Sequence, residues 1–248
     1  MSRAREIRGA LGLVSLLGGL LLAHPALAEG FTVDLGTGGT VTGRVMELVA
    51  LLTVLSLAPS ILVVMTSFTR IIVVLSLLRS ALGLQTSPPN VVMISLALFL
   101  TSFIMAPTFQ RSYQDGIQPL IAEKIDDATA FTRTMAPFQE FMVAHVRKQD
   151  LALFMSMAKE PPVASPADIP LKVAIPAFMI SELRRAFEIG FLLFIPFIII
   201  DMVVASVLMS MGMMMVPPAT LSLPFKLIFF VMVDGWSLIS GALVRSFG

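Results

Sequence analysis

Apolar and polar positions fall in blocks along this chain, and the blocks predict helices. Leu48 to Leu78 is apolar apart from Arg70, with Pro59 inside it. As one helix it would extend about 45 Å, beyond a bilayer core of about 30 Å. It is therefore tilted, broken at Pro59, or not a simple span. Gly83 and Ser87-Pro88-Pro89 end it, since paired prolines punctuate helices. Val91 to Ala106 is the next run, closed by Pro107, and at about 24 Å it is short for a span. Ile189 to Val207 holds a single charge, Asp201, and carries Pro196 at its middle. A proline there removes a helix hydrogen bond and should kink the run, at about 3 kcal/mol unless neighbours compensate. Phe225 to Val244 is the last run and contains Lys226 and Asp234. The expected fold is all-α, with about four long, kinked, membrane-type helices in two hairpins, residues 45–107 and 176–248.

The stretch between the hairpins differs in kind. Thr108 to Ile175 holds 15 charged residues in 68, against 14 in the other 152 residues after position 28. That contrast predicts a water-facing helical domain, 108–175, inserted between the hairpins. Pro137 suits the first turn of a helix, and Phe138, Phe141, Met142 and His145 then share one face. Asp150 reads as an N-cap, followed by Leu151, Phe154, Met155 and Ala158 in the same spacing. These stripes fit either the core of a small domain or a surface for neighbouring subunits. Pro161-Pro162, Pro166 and Pro170 make the return an extended linker, and Pro176 restarts helix. Glu182, Arg184, Arg185 and Glu188 follow at i,i+3 and i,i+4 pairing distances.

The first 28 residues read as a cleaved signal peptide, with Arg3, Arg5 and Arg8, an apolar run from Ala10 to Ala23, and Ala26-Leu27-Ala28. An uncleaved first membrane helix is the alternative. Residues 29–44 form a Gly/Thr-rich loop. It is not a phosphate cradle, because no Lys-Ser/Thr follows. A signal peptide puts the mature N-terminus outside, and two runs return 108–175 to the outside. Nine basic residues from Arg111 to Arg185 oppose this, but loops beyond about 60 residues translocate largely regardless of charge.

Composition sharpens the class. The chain is 56% hydrophobic and 13% charged, with mean hydropathy +0.91. About 25% charge is usual in a soluble domain. An ordinary soluble enzyme, a disordered protein and a nucleic-acid binder are excluded. There is no cysteine, so no thiolate chemistry, and the net charge of +1 provides no polybasic steering. A catalytic reading fails on inventory. Beyond the leader His145 is alone among histidines, carboxylates do not surround it at ligand spacing, and no nucleotide loop is present. No cofactor is expected.

Two features stand out. Arg70, Asp201, Lys226 and Asp234 sit within apolar runs, where each would cost about 2.5–3.5 kcal/mol at a bilayer centre. They fit an ion or proton relay, or salt bridges holding packed helices. Met209, Met211, Met213, Met214 and Met215 occupy five of seven successive positions, beside Gly212, Pro217 and Pro218. Methionine conforms to irregular contacts. The cluster is either core filler or, at a helix break, a soft apolar surface that could close around a passing chain.

Several of these residues carry a resemblance. Phe68-Thr69-Arg70-Ile71-Ile72 and Pro88-Pro89-Asn90 resemble the FliP family of bacterial flagellar export proteins. So do Pro176 to Leu183, then Gly190 and Ile195-Pro196-Phe197. The stretch from Asp201 to the methionines and Pro218, Ser222 to Lys226, and Val233-Asp234-Gly235-Trp236 are similar to it as well. The resemblance covers roughly residues 45–247. It implies a core subunit of the type III export gate at the inner membrane and flagellar basal body, with a periplasmic domain. It implies a ring of several copies, a pentamer, assembled with FliQ, FliR and other export-apparatus and basal-body proteins. Unfolded flagellar subunits would pass through, with the methionines as gasket. The charged residues Arg70, Glu182, Arg184, Arg185, Glu188, Asp201, Lys226 and Asp234 would then pair between helices or subunits. A virulence-injectisome subunit, or a small-solute transporter using Asp201 and Asp234, are the alternatives.

Overall fold

The computed structural model describes residues 63–248, apart from 162–164, 166–167 and 214, together with scattered positions between 45 and 60. The expected signal peptide, the 29–44 loop, Pro59 and Met214 lie outside the described residues. The chain divides into two units at Val54. In the first, the described positions are helical, and Thr53 Oγ1 donates to Val49 O (2.7 Å) one turn back.

In the second unit the described regular structure is helical, with no strand among the described residues. We label the helices α1 (Phe68–Ala81), α2 (Asn90–Ser112), α3 (Gln118–Ile121), α4 (Asp127–His145), α5 (Lys148–Ala158), α6 (Leu171–Ser210), α7 (Pro218–Met232) and α8 (Gly235–Arg245). A π-helical turn, Tyr113–Ile117, joins α2 to α3.

The long first run is broken at Met65–Ser67. Thr66 Oγ1 donates to Val63 O (3.0 Å) and accepts from Phe68 N (3.4 Å), so one hydroxyl serves both sides of the break. After it, α1 buries Ile71, Val74, Leu75 and Leu78, the i, i+3, i+4, i+7 face. They join Met93 and Ala97 of α2, Ala186 and Phe197 of α6, Phe230 of α7, and Ile239 and Leu243 of α8. At 14 residues, α1 is too short to cross a bilayer of about 30 Å. It is the centre of the packing. Gly190 lets α6 approach it closely, because a Cβ there would overlap the Leu77 side chain, lying 3.2 Å from its Cβ.

Among the described residues two helices, or three if a bent pair counts as one span, have membrane length, and part of the first expected run lies outside those residues. Asn90–Ile121 and Leu171–Ser210 are long and apolar enough to cross a membrane. Pro218–Met232 and Gly235–Arg245 qualify only as a pair bent by 63°. The bend falls at Asp234, in the left-handed conformation at φ 48°. Three prolines also behave differently from expectation. Pro107 does not close α2, which runs on to Ser112, and Pro137 lies inside α4 rather than in its first turn. Pro176 does not start α6, which begins at Leu171 and continues through both Pro176 and Pro196. Packing against α1, α5 and α7 offsets the single hydrogen bond that each interior proline removes. At 40 residues, α6 spans about 60 Å, twice a bilayer core.

A second core lies at the N-terminal end of α6. Val173, Ala174 and Phe178 pack with Phe138 and Met142 of α4, Met105 of α2, Met65 and Ile169. Phe141, Leu151, Phe154 and Met155 lie partly buried against them. Asp150 is not the N-cap of α5, which starts two residues earlier behind Arg147. At the start of α4, Thr129 Oγ1 donates to the Asp126 carboxylate (2.5 Å) and holds that carboxyl below its ordinary range.

Candidate functional site

Two buried charge clusters and one exposed turn collect most of the residues singled out in the sequence. In the first cluster, Arg70 comes from the face of α1 that packs on α6, where Glu182 meets it across 112 residues of chain. Arg70 Nε donates to Glu182 Oε2 at 2.7 Å and Nη2 to Oε1, a bidentate fork. Both side chains are at most 1% exposed. The remaining Arg70 donor, Nη1, reaches Ser246 O (3.0 Å) and Oγ (2.9 Å). The guanidinium carbon lies 3.6 Å from the centroid of the Phe247 ring, a cation–π contact. One residue earlier on α6, Ser181 Oγ donates to Asp150 Oδ2 (2.7 Å) and accepts from Arg147 N (3.0 Å). Ser181 and Glu182 thus tie α6 to the α4–α5 turn on one side and to α1 on the other.

The second cluster joins α6 to α7. Lys226 Nζ donates to Asp201 Oδ2 (2.7 Å) and to Ala81 O (3.3 Å) at the end of α1. Ser222, one turn before Lys226, donates to Asp201 Oδ1 (2.5 Å). Lys226 is buried, while the Asp201 side chain is 37% exposed. Lys226 and Asp201 therefore pair with each other, whereas Asp234 is exposed at the α7–α8 bend and belongs to neither cluster.

The other charges behave differently. Arg184 pairs with Glu188 at i,i+4 (2.9 Å), and both side chains are 59% exposed on α6. Around them the same helix exposes Ile180, Phe187, Phe191 and Leu192. The i,i+3 spacing from Glu182 to Arg185 is not used as an ion pair, because Glu182 turns to Arg70. Arg185 instead lines a cavity with Arg70, Glu188 and Ser246.

The exposed turn follows α6. Gly212, at φ +76°, ends the helix where a side chain would be strained. Its N–H donates to Met209 O (3.1 Å), and Met213 N donates to Leu208 O (3.0 Å). Pro217 precedes α7 and Pro218 is its first residue. Met209, Met211, Met213 and Met215 are 62%, 66%, 41% and 98% exposed. Between the arms of this turn, α6 and α7 line an apolar groove of about 600 Å³ with Ile199, Val203, Val207, Phe225 and Phe229 among its walls. Among the described residues no group of His, Asp and Glu is placed to hold a metal ion.

Sequence reasoning missed the C-terminal residues. Ser246 and Phe247 complete the Arg70 cluster, yet a Ser-Phe-Gly terminus carries no periodic or motif signal.

Comparison with known proteins fixes the family. The FliP family model matches residues 51–243. The chain is 57% identical over 250 aligned positions to the flagellar biosynthetic protein FliP of Caulobacter vibrioides, covering 99% of this chain and 94% of that protein. It is 57% identical over 202 positions to the Bacillus subtilis FliP, covering 82% and 91% of the two chains. With the FliP of Aquifex aeolicus it shares 49% identity over 243 positions, 97% of this chain and all of that one. These relatives bear the name of a flagellar biosynthetic protein. A buried Arg70–Glu182 fork, a methionine turn and two membrane-length helices are thus features of a chain that belongs to the FliP family of flagellar biosynthetic proteins.

Proposed function

We propose that the chain is a core subunit of the flagellar type III export gate, part of a channel for unfolded flagellar subunits, and that the methionine turn is its gasket. The observation that carries this reading is the exposure of Met209, Met211, Met213 and Met215 together at the tip between α6 and α7. Large apolar side chains clustered on a surface mark an interaction site. Methionine suits one that must repack around varied sequences. Several copies converging at this turn would make a soft, dry constriction, with Met214 as its fifth member.

The same logic applies along α6. An exposed Arg184–Glu188 pair among exposed phenylalanines suits neither lipid nor water alone. It fits a face that meets sibling subunits or partner proteins, and the family resemblance points to a pentameric ring with FliQ and FliR. In this reading the gate sits at the inner membrane within the basal body, with 108–175 on the periplasmic side. The flagellar names of the relatives favour this branch over a virulence injectisome. A transporter reading would bring Asp201 and Asp234 together. Asp201 is instead engaged with Lys226 and Ser222.

The test replaces the five methionines with alanine and measures ion leakage and filament assembly together. Leakage with impaired export is expected. A tight membrane with normal export contradicts the gasket.

A further inference from the structure

Two opposite charges in the membrane-length part of the chain have no ion-pair partner among the described residues. From Leu171 onward, Glu182 pairs with Arg70, Glu188 with Arg184, Asp201 with Lys226 and Lys172 with Glu160. Arg185, Asp234 and Arg245 remain. Arg245 is exposed in the last turn of α8, where a cation complements the helix dipole. Arg185 and Asp234 have no such account. Both lie in helices long and apolar enough to cross a membrane, α6 alone and α7 with α8 as the bent pair. An unpaired charge at a bilayer centre costs about 2.5–3.5 kcal/mol, so each calls for a partner.

Arg185 sits in a receptacle. Its side chain is half-buried in a cavity of about 340 Å³ with Arg70, Glu188, Ile189, Leu192 and Ser246. Arg70 is committed to Glu182 and Ser246. Glu188 Oε1 accepts from Arg184 Nε at 2.9 Å. Those two ion pairs cancel, so the cavity keeps one positive charge, carried by Arg185. A guanidinium presents a planar fork of donors that suits a carboxylate. On the same helix Phe187 and Phe191 are exposed.

Asp234 presents what such a cavity accepts. It stands at the N-cap of α8 yet makes no side-chain bond to that helix. An N-cap aspartate serves the first N–H groups from an extended backbone, whereas Asp234 is left-handed at φ 48°. Its side chain is exposed, in company with exposed Val231, Met232 and Trp236. Within one chain the two charges are not placed to meet. α7 runs back along α6, with Lys226 on Asp201 and the Phe230 ring 6.5 Å from that of Phe197. This register brings Asp234 about level with Leu193, roughly 12 Å along the axis from Arg185.

We propose that Asp234 of one copy enters the Arg185 cavity of the next. Each chain gives a carboxylate on one side and receives one on the other. The contact is heterologous, so it repeats from copy to copy and closes as a ring where the rotation allows. Apolar side chains beside Asp234 would pack on Phe187 and Phe191 and keep water from the pair. The pairing rests on the reading above that several copies assemble, and it assigns the two residues that join them.

The chain has no cysteine, so Arg185→Cys and Asp234→Cys can be combined and membranes treated with a short bis-maleimide, which restores the length the two side chains lose. A ladder of dimers, trimers and larger species is expected from the double variant, with both single variants monomeric. Monomers or dimers alone from the double variant, or dimers from a single variant, overturn the pairing. Exchange of the charges is a second arm. Arg185→Asp and Asp234→Arg should each lower the oligomeric fraction at least about tenfold, and the two together should restore most of it. Single variants that assemble normally, or a double exchange no better than the worse single, overturn the pairing. A Met211→Cys protein separates the two failures. If its copies cross-link while positions 185 and 234 do not, the pairing falls and the assembly reading stands; if neither links, both fall.

Discussion

The Arg70 cluster and the methionine turn are opposite solutions to the same difficulty of placing side chains in an apolar chain. At Arg70 every nitrogen of the guanidinium finds a partner inside the chain, from α6 and from Ser246. At the turn, the four described methionines are 41% to 98% exposed. The first region is complete as folded. The second has apolar surface that no other described residue covers. Stability of the single chain should therefore depend on the first and be nearly indifferent to the second, whereas assembly and transport should depend on the second.

Glu182→Ala should break this contrast most severely. It leaves Arg70 buried without its anion, a loss of about 3–5 kcal/mol, seen as a collapse of the thermal unfolding midpoint or of folded yield. Replacing both Arg70 and Glu182 with methionine should recover most of that loss, since apolar replacement of a whole buried pair is often neutral or better. Failure of the double variant to recover would mean that the fork, and not merely charge balance, holds the helices. Gly190→Ala comes next, at about 1–3 kcal/mol from overpacking against Leu77, read by the same melt. Lys226→Met should cost less, about 1–2 kcal/mol, because the Asp201 carboxylate it leaves is 37% exposed and keeps Ser222. Smallest of all is Arg184→Ala, which removes an exposed i,i+4 pair worth about 0.3–0.5 kcal/mol. If Arg184→Ala nevertheless abolishes export at normal protein levels, the exposed face of α6 is a contact surface.

Much of the fold was legible because its helices are written in runs of apolar residues. Helix existence was therefore easier to read than helix length. Pro107, Pro137 and Pro176 looked like helix boundaries, but neighbouring helices carry the chain through all three. Conversely, the break at Met65–Ser67 has no proline or glycine, only a threonine hydroxyl that satisfies both ends. Individual charges in apolar runs announced that they need partners, and Arg70, Asp201 and Lys226 have them. Which partner each takes was hidden, because Arg70 and Glu182 lie 112 residues apart. A local i,i+3 reading gave Glu182 to Arg185 instead. The part played by Ser246 and Phe247 left no trace in the sequence, since their contacts with Arg70 are made by one backbone carbonyl, one hydroxyl and one aromatic ring.

The central claim is that the methionine turn is completed by the same turn of other copies. A single cysteine placed at Met211 in this cysteine-free chain can form a disulfide only between molecules. Mild oxidation of membranes carrying Met211→Cys is expected to convert the chain into covalent dimers, while the same cysteine at exposed Leu153 of α5 does not. Chains that remain monomeric, although the Met211→Cys thiol reacts readily with maleimide, would contradict it.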